Sequence, residues 1–543
     1  MLQNSVAEDR EEITAAEKDI RAYIEQNLPE DYDSILMKDN RWEVFYHLTA
    51  MRNSILNWYD FKPNARILQI GGELGSLTGM LCEKCEHVTV WEKSKFRAET
   101  ISIRCRNHEN LEVYSGLTER SDFHQKFDYI VMIGTLEAVG KGSDDKGLYE
   151  RFLKKCQQFL KKEGKFLIAV ENRYGLKYFC GDPEPHTGVP YSGINKYPFG
   201  TSGYSFSRQE ILDIAQRAGM KDIYFYYPLP DYRLTQLVYS EKYLPGPNLK
   251  ERLFFYHTKP GCLTALENRL YDDIIENGVF EFFANSFLLE CGMETHTGER
   301  AVYAAVTTDR GAEDALATVI YDNRTVRKKP LFAQGKKRLE EVYRNINEIH
   351  VRGIKTVPHS LDGENLLMPY VSAEMFSDYL RRIGRERPSE FEERIEQLYQ
   401  AILDSSEHVD PELNEFPCEG KDIDCGVILK KAYIDMVPLN CFFSEGELIF
   451  FDQEFTRKNY PALYTLFRAL KYTYLFTPEI DKFVPLDYLK DKYHMKEIWE
   501  LCVEEENRFV ASNRKYDVYD NFYKWVWFDE MKVYKNGISL LSI

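Results

Sequence analysis

The sequence has no uninterrupted run of about 18 apolar residues, the length that a membrane-spanning helix needs. Its first twelve residues are polar and charged and contain no apolar leader region, so we expect a cytoplasmic protein. Basic residues are also scarce: 70 Lys and Arg stand against 87 Asp and Glu, and the net charge is −17. Because nucleic acids and anionic membranes select basic surfaces, neither is expected as the main partner, although this count leaves room for a local basic groove.

A disulfide framework is not expected either. The eleven cysteines are odd in number and scattered along a long chain, which is typical of reduced thiols in a cytoplasm. The one Cys-x-x-Cys pair, Cys82 and Cys85, has no second pair and no histidine at metal-ligand spacing. Two interpretations stay open for this pair: a metal or redox site, and two ordinary helix residues, of which the second is favoured.

Apolar residues, by contrast, are abundant and make up 44% of the 543 residues. A chain of this length and composition is expected to form two to four domains, each with its own hydrophobic core. Residues 1–60 predict a helical segment, with helices over about 5–28 and 41–60. Residues 61–245 alternate short apolar strands with helices, a pattern typical of a parallel sheet covered on both faces. The predicted strands are Ile67–Ile70, His87–Trp91, Leu111–Ser115, Tyr129–Ile133, Lys165–Val170, Ile223–Tyr227 and Gln236–Tyr239, the last two forming an antiparallel pair at one edge.

A stretch rich in proline and glycine then marks a linker, which we place at 246–261. From 262 to 543 the pattern changes: three consecutive strands, Phe280–Glu290, Arg300–Thr307 and Ala315–Tyr321, precede a helix at Gly335–His350, a strand at Asn365–Val371 and a mainly helical remainder. The predicted fold class is therefore α/β in the first domain, followed by a second domain of the α+β class.

The first motif of chemical interest is the strand Arg66–Ile70, which runs into Gly71, Gly72, Glu73, Leu74 and Gly75. A glycine turn between a strand and a helix lets backbone amides approach a bound nucleotide closely. About twenty residues later Glu92 ends the next strand, where a carboxylate can accept both hydroxyls of a ribose. A dehydrogenase shares these elements, but the loop is not Gly-x-Gly-x-x-Gly.

A long polar and aromatic loop, residues 171–205, follows the predicted fifth strand. Loops of this length are often functional. His186 is its best candidate for a general base or for a group that orients the acceptor. A surface loop with an incidental histidine is an equally good interpretation.

The second motif lies in the C-terminal half. Asp435 and Asn440 have the spacing of a kinase catalytic loop, and Asp452 follows at the position of a metal-binding aspartate. Upstream, Lys328 fits the lysine that contacts phosphates, and Glu341, with Glu340 as the adjacent alternative, fits its partner on a helix. Chance remains the competing explanation of the two-residue spacing taken alone.

These motifs resemble two families. Residues 42–245, with stretches such as Glu171-Asn-Arg-Tyr-Gly-Leu-Lys-Tyr178, resemble class I S-adenosylmethionine (SAM)-dependent methyltransferases of the bacterial surface-polysaccharide type. Residues 262–530 resemble kinases of the aminoglycoside-phosphotransferase branch. The organisation is similar to that of kinase–methyltransferases that cap O-antigen chains, although the C-terminus carries no heptads. The resemblance implies a Rossmann-like methyltransferase domain followed by a protein-kinase-like domain.

It also implies roles for individual residues. SAM would lie on Gly71, Gly72, Gly75 and Glu92, and ATP on Lys328 and Glu341, with Mg²⁺ held by Asn440 and Asp452 and the attacking hydroxyl near Asp435. The implied function is phosphorylation of a sugar by the second domain and methylation of the sugar or sugar phosphate by the first. A glycan acceptor and glycosyltransferases of surface-polysaccharide assembly are the implied partners.

Three positions depart from the methyltransferase pattern: Gln69 replaces an acid, Glu73 replaces a glycine, and Leu117 replaces the Asp or Asn expected near adenine. An intact SAM site and a decayed structural domain therefore both stay open. Two further functional alternatives remain. One is a methyltransferase with a kinase-like lobe that only binds, and the other is a non-catalytic scaffold for glycosyltransferases.

Overall fold

The structure is a computed structural model that describes residues 13–116, 125–418 and 423–540. The chain forms two compact units: unit 1 comprises residues 1–309 and 517–543, and unit 2 comprises residues 310–516. Within the described residues, no helix reaches the length and apolarity needed to span a membrane.

Unit 1 begins with three helices, α1 (Ala15–Gln26), α2 (Tyr32–Leu36) and α3 (Trp42–Leu48). The Thr14 hydroxyl accepts from the Glu17 amide at 3.1 Å and the Glu17 carboxylate accepts from the Thr14 amide at 2.9 Å, a capping box that starts α1. The part of the first predicted helix before residue 13 lies outside the described residues. The second predicted helix, 41–60, is shorter than expected: α3 ends at Leu48, and a 3₁₀ helix, Ala50–Ile55, begins after the extended Thr49.

The alternating part of unit 1 follows the predicted order. Its strands and helices are β1 (Arg66–Ile70), α4 (Thr78–Lys84), β2 (His87–Glu92), α5 (Lys95–Arg104), β3 (Leu111–Ser115), β4 (Phe127–Ile133), α6 (Leu136–Val139), α7 (Lys146–Gln157), β5 (Leu160–Glu171), α8 (Leu176–Phe179), α9 (Arg208–Arg217), β6 (Asp222–Leu229), β7 (Leu237–Ser240), α10 (Tyr271–Glu276), α11 (Phe280–Phe283), β8 (Ser286–Gly292) and β9 (Ala301–Val306).

The sheet of unit 1 has the strand order β3-β2-β1-β4-β5-β8-β6-β7-β9. The first five strands of this order are parallel, as predicted. Chain order reverses between β1 and β4, because β2 and β3 lie on one side of β1 and β4 and β5 on the other. In open α/β sheets, ligands bind at the carboxyl ends of the strands beside such a switch point.

The strand β8 is where the structure departs most from the sequence-based expectation. The sequence pattern assigns it to the start of the second domain, but it lies between β5 and β6 and is antiparallel to both. All seven of its residues are buried, which suits a central strand covered on both faces. The antiparallel pairing of β6 with β7 is confirmed, but this pair is not the edge of the sheet because β9 continues beyond β7.

Unit 2 begins with a small antiparallel sheet and continues with helices; of the three strands predicted to open the second domain, only the one at 315–321 lies here. Its elements are β10 (Leu316–Tyr321), β11 (Thr325–Pro330), α12 (Lys336–Val351), β12 (Ser360–Asp362), β13 (Asn365–Pro369), β14 (Glu374–Met375), α13 (Phe376–Glu386), α14 (Pro388–Asp404), β15 (His408–Val409), β16 (Ile428–Tyr433), β17 (Cys441–Ser444), β18 (Glu447–Phe450), β19 (Thr456–Pro461), α15 (Ala462–Phe476), α16 (Leu486–Lys492) and α17 (Lys496–Asn513).

Three sheets build unit 2: β12-β13-β11-β10, β14-β17-β18 and β15-β16-β19. The apolar face of α12 packs on the first sheet through Leu339, Val342 and Ile346. The helices from α13 to α17 surround a larger core with the other two sheets.

The last two helices, α18 (Tyr516–Val526) and α19 (Glu530–Leu540), return to unit 1. Aromatic rings hold them there: Phe522 stacks on Phe45 with 5.6 Å between ring centroids, and Trp525 meets Trp42 edge-on at 5.3 Å. The predicted division, with a linker at 246–261 and a second domain from 262 to 543, therefore differs from the observed one at both ends. Residues 262–309 belong to unit 1 because β8 and β9 pair within its sheet.

We predict that Leu288→Ala in β8 lowers the stability of unit 1 by about 3 kcal/mol, because it opens a cavity at a fully buried position. Hydrogen exchange of the full chain should show loss of amide protection in β5 and β6, the two neighbours of β8. Leu244→Ala, at a position 45% exposed, is the matched control and should leave exchange unchanged. Protection lost only in unit 2 would contradict the strand order.

Candidate functional site

The glycine loop after β1 lies at the switch point of the unit 1 sheet. Gly71 and Gly75 have φ of +74° and +80°, a region that favours glycine. A Cβ on Gly71 would lie 2.4 Å from the Thr135 hydroxyl, so only glycine fits. That hydroxyl, which follows β4, donates to the Ile70 carbonyl at 2.8 Å. The loops of the two strands that flank the switch point are therefore joined directly.

Glu92, at the end of β2, holds the same loop from the other side. Its Oε2 accepts from the Gly72 amide at 2.9 Å and from the Glu73 amide at 3.1 Å, and its Oε1 accepts from the Ser94 amide at 3.1 Å. Burial raises the pKa of Glu92, while these hydrogen bonds act against the shift. The residue predicted to bind ribose thus lies at the crevice and also sets the shape of the loop.

The three departures from the methyltransferase pattern have different structural outcomes. Gln69 is buried and accepts from the Thr78 hydroxyl at 2.9 Å, so it joins β1 to α4. Glu73 has φ of +50°, the left-handed conformation that a glycine would adopt, at a cost of about 1 kcal/mol. Leu117 lies outside the described residues.

Arg52 brings a buried positive charge to this loop. Its side chain is 1% exposed, and its Nη1 donates to the Arg233 carbonyl at 3.0 Å. The guanidinium lies 4.1 Å from the ring centre of Tyr46, and the charges of both Arg52 and Glu73 act on that tyrosine. Its Nε has no hydrogen-bond partner in the described part of the chain. A buried donor without a partner is costly and is a good candidate for contact with an anionic ligand group.

This set of groups fits SAM. The glycine turn lets a ligand approach the backbone closely, Glu92 offers a carboxylate to a ribose, and Arg52 offers an open donor and a positive charge to a ligand carboxylate. The carboxylate of Glu73 is the group that opposes such a ligand.

Two buried carboxylates lie at the carboxyl ends of β4 and β5, the strands that follow β1 in the sheet. Glu137, just after β4, and Glu171, which ends β5, are 1% and 0% exposed. A Glu137 oxygen accepts from the Glu171 amide at 2.5 Å. Burial, followed by the charge of Glu171, raises the pKa of Glu137 well above its ordinary value. Sequence reasoning missed Glu137, although its position four residues after a buried strand was the available signal.

His186 reaches the same place from the long loop. Its Nε2 lies 3.8 Å from a Glu137 oxygen and has no hydrogen-bond partner in the described residues. Gly203 packs against the imidazole, since a Cβ there would lie 2.3 Å from Nδ1. Burial lowers the pKa of His186 to about 4, so the ring is neutral near pH 7. The structure therefore places the predicted His186 beside the crevice rather than in solvent.

We call the site formed by Glu137, Glu171 and His186 the acidic pocket. Buried ion pairs surround its carboxylates. Glu171 accepts from the Tyr178 hydroxyl at 2.5 Å and pairs with Arg233. Lys177 lies 2.7 Å from Asp231, which also accepts from the Tyr256 hydroxyl at 2.9 Å. Although burial acts in the opposite direction, the charges of Lys177 and Arg233 hold the pKa of Asp231 below its ordinary value.

A second cluster lies in unit 2 and contains most of the other predicted residues. Lys328, on β11, is 3% exposed and pairs with Asp452 and, at 2.5 Å, with Glu454. Although burial opposes it, the charges of these two carboxylates raise the pKa of Lys328. Asp452 has φ of +56°, which turns the chain at this point.

Asp435 and Asn440 complete the cluster. The Asn440 amide donates to the carbonyls of Asp435 and Asp452 at 3.2 and 3.4 Å. Both carboxylate oxygens of Asp435 are engaged, one by the Phe455 amide at 2.7 Å and the other by Arg468 at 2.9 Å. The structure thus brings Lys328, Asp435, Asn440 and Asp452 together.

Glu341 is not in this cluster. It pairs with Arg338, one turn earlier on α12, at 2.7 Å. The expected Lys328–Glu341 pair is replaced by Lys328–Glu454, and Arg310 lies 2.5 Å from the other oxygen of Glu454. Glu454 and Arg468 are the two residues that the sequence did not single out.

The Cys82–Cys85 pair lies on α4 and at its C-terminal end. Both thiols are buried, and burial raises the pKa of Cys85 to about 12. In the described parts of the chain, no group of three or more His, Cys, Asp and Glu residues is arranged to hold a metal ion.

Comparison with known proteins finds only weak similarities, all of them to solved structures. No family model matches the sequence, and no curated protein matches it. Solved structures that resemble it include a SAM-dependent methyltransferase from Thermotoga maritima (16% identity, 49% of this chain and 99% of that chain, TM-score 0.29). Others are the CcbJ methyltransferase from Streptomyces caelestis (12%, 45% and 90%, 0.28) and a candidate O-methyltransferase from Nostoc punctiforme (14%, 33% and 52%, 0.27).

The chain spans about half of the Nostoc protein's length. TM-scores below 0.3 are too low to support an argument about fold or function. The function of this chain therefore has to be inferred from its own strand order and from the residues of the crevice.

We predict that acid destabilises unit 1 through His186. Its folded pKa lies below the unfolded one, so its stability contribution is complete above pH 6.5 and is lost as the pH falls towards 4. Between pH 7 and pH 5 the loss should be about 2 kcal/mol. Urea unfolding at the two pH values measures it. His186→Gln should reduce the difference, whereas His108→Gln, at a half-buried position outside the pocket, should not; equal pH dependence in both variants would contradict the buried neutral state.

Proposed function

We propose that unit 1 is a SAM-dependent methyltransferase. The observation that carries this proposal is the pair of hydrogen bonds that the buried Glu92 carboxylate accepts from the Gly72 and Glu73 amides of the glycine loop. This loop lies beside the switch point of a doubly wound sheet, where such sheets bind ligands. The buried Arg52, with its open Nε, supports the same assignment because SAM ends in a carboxylate.

When bound, SAM would supply an electrophilic methyl group. The chain's own residues would then act on the acceptor. His186 is neutral near pH 7, so its Nε2 can accept a hydrogen bond from an acceptor hydroxyl and orient it. Glu137, with an oxygen 3.8 Å from this nitrogen, lies close enough to contact the same acceptor hydroxyl. The buried ion pairs of Glu171 with Arg233 and of Asp231 with Lys177 hold these residues in place.

A second candidate function, in unit 2, is nucleotide binding with phosphoryl transfer. It is favoured by the convergence of Lys328, Asp435, Asn440 and Asp452. Asn440 and Asp452 would hold Mg²⁺, and Lys328 would contact the phosphates of ATP. Because Arg468 and the Phe455 amide engage both oxygens of Asp435, this aspartate is a poor proton acceptor as it stands. That geometry favours a nucleotide-binding unit over a fast kinase.

The acceptor class rests on the family resemblance alone. A sugar or sugar phosphate as acceptor, a role in surface-polysaccharide synthesis and glycosyltransferase partners stay predictions. The scaffold alternative differs from these in one measurable respect, since a scaffold would bind neither SAM nor ATP.

We predict that Glu92→Ala weakens SAM binding by about 1–3 kcal/mol, the value of a lost charge-assisted hydrogen bond. Isothermal titration calorimetry on the full chain measures this without any acceptor. Glu83→Ala, an exposed acid on α4, is the matched control and should bind SAM as the parent does. If Glu92→Ala retained full affinity, Glu92 would have no role in binding SAM.

For unit 2 we predict that Asp452→Ala abolishes the binding of Mg·ATP, because it removes the carboxylate proposed to hold the metal. Calorimetry with Mg·ATP measures it, and Asp487→Ala, an exposed acid on α16, should have no effect. Unchanged affinity in Asp452→Ala, or no binding by the parent chain, would refute the nucleotide assignment and leave the proposal for unit 1 standing.

A further inference from the structure

Unit 2 has an open groove that belongs to neither candidate site. It lies along α12 and the strands β16 and β19, with a volume of about 1140 Å³. Pockets for single small molecules usually measure about 300–1,000 Å³, so this one has room for an extended ligand. Six cations line it, and we call it the basic groove: Arg344, Arg352, Lys430, Lys431, Arg457 and Lys458.

Its positive charge is unusual in this chain. The protein carries a net charge of −17, yet these six cations face three lining acids, Glu340, Glu348 and Glu407. Two of the acids are already paired, Glu348 with Lys431 at 2.5 Å and Glu407 with Lys430 at 2.7 Å. A third lysine, Lys458, pairs at 3.1 Å with Glu415. Arg344, Arg352 and Arg457 make no ion pair in the described part of the chain, although the charges of Arg344 and Arg352 act on Glu348 and Glu407.

Two like charges also face each other across the sheet of this groove. Lys431 on β16 and Lys458 on β19 are directly opposite in the antiparallel register. Like charges at such a position destabilise a strand pair. Their ion pairs with Glu348 and Glu415 offset this repulsion, and the strand pair still concentrates positive charge in the groove.

The rim of the groove is apolar at two points. Val351 is 84% exposed at the end of α12, and Leu361 is 41% exposed. Nucleic acid is contacted mainly through its phosphates and sugars, which do not match apolar side chains at these two points. A peptide can place acidic side chains on the arginines and apolar ones on Val351 and Leu361.

We propose that the basic groove is a docking site for an acidic peptide segment of a partner protein, one that alternates acidic with large apolar residues. The acidic side chains of the peptide would contact the three arginines that make no ion pair, and these contacts would set its orientation in the groove. The apolar rim gives it preference over other polyanions.

Fluorescence anisotropy on the full chain tests this proposal. The probe is a labelled peptide of about twelve residues that alternates Glu and Leu, and the competitors are the same peptide with Gln for Glu and an oligothymidylate of similar length. We expect the acidic peptide to bind, its affinity to fall with added salt, and the two competitors to bind more weakly. No binding of the acidic peptide, or tighter binding of the oligothymidylate, would overturn the proposal.

Two variants locate the site. Arg344→Ala/Arg352→Ala should raise the peptide Kd about tenfold, whereas Arg385→Ala/Lys482→Ala, two exposed cations of unit 2 outside the groove, should not change it. Val351→Asp, on the exposed rim, should weaken the peptide while leaving the thermal unfolding of unit 2 unchanged. Equal affinity in the groove and control variants, or in Val351→Asp and the parent, would place the peptide elsewhere and refute the assignment.

Discussion

The strand β8 is the constraint on which unit 1 depends. It enters the sheet more than one hundred residues after β5 and yet forms a seven-residue ladder with it, from Lys165 opposite Gly292 to Glu171 opposite Ser286. Its Glu290 is buried and accepts from the Tyr59 hydroxyl at 2.9 Å. Despite burial, the charges of Lys165 and Arg300 hold the pKa of Glu290 below its ordinary value. Such a buried carboxylate is tolerated only with its partners in place, so it also specifies register.

That register positions the candidate site. Glu171 is the last residue of the ladder, so the pairing of β5 with β8 fixes its position at the carboxyl end of β5, beside Glu137. The next residue, Asn172, fixes the start of the long loop by donating to the carbonyls of Phe282 and Ala284 at 2.7 Å. The acidic pocket is thus built on rigid strand ends rather than on the loop itself, which is how a site keeps its geometry before a ligand arrives.

The sequence predicted the parts of this molecule that depend on short-range pattern. The strands β1 to β5, the glycine loop and Glu92 follow from periodicity and spacing within about thirty residues. It could not predict the insertion of β8, because antiparallel pairing between distant segments leaves no local mark beyond an apolar run. The apolar residues around Leu288 predict a buried strand, but they do not specify which sheet that strand joins.

The same limit explains the residues of the charge cluster in unit 2. Lys328, Asp435, Asn440 and Asp452 were found from their order. The partner of Lys328 was assigned to Glu341 because a helix acid was expected there, but residues 338 and 341 share one face of α12 and pair with each other. Glu454, two residues after Asp452, pairs with the lysine because it is closer, a fact of distance that spacing along the chain does not contain.

The helix α12 has one further consequence. One side holds the segment after β18, since Asn345 donates to the Gln453 carbonyl at 2.9 Å and Arg338 to the Glu454 carbonyl at 3.2 Å. The adjacent side presents Glu348, which accepts from the Tyr433 hydroxyl at 2.7 Å on the floor of the basic groove. The same helix therefore forms one wall of the basic groove and also positions the residues that follow Asp452.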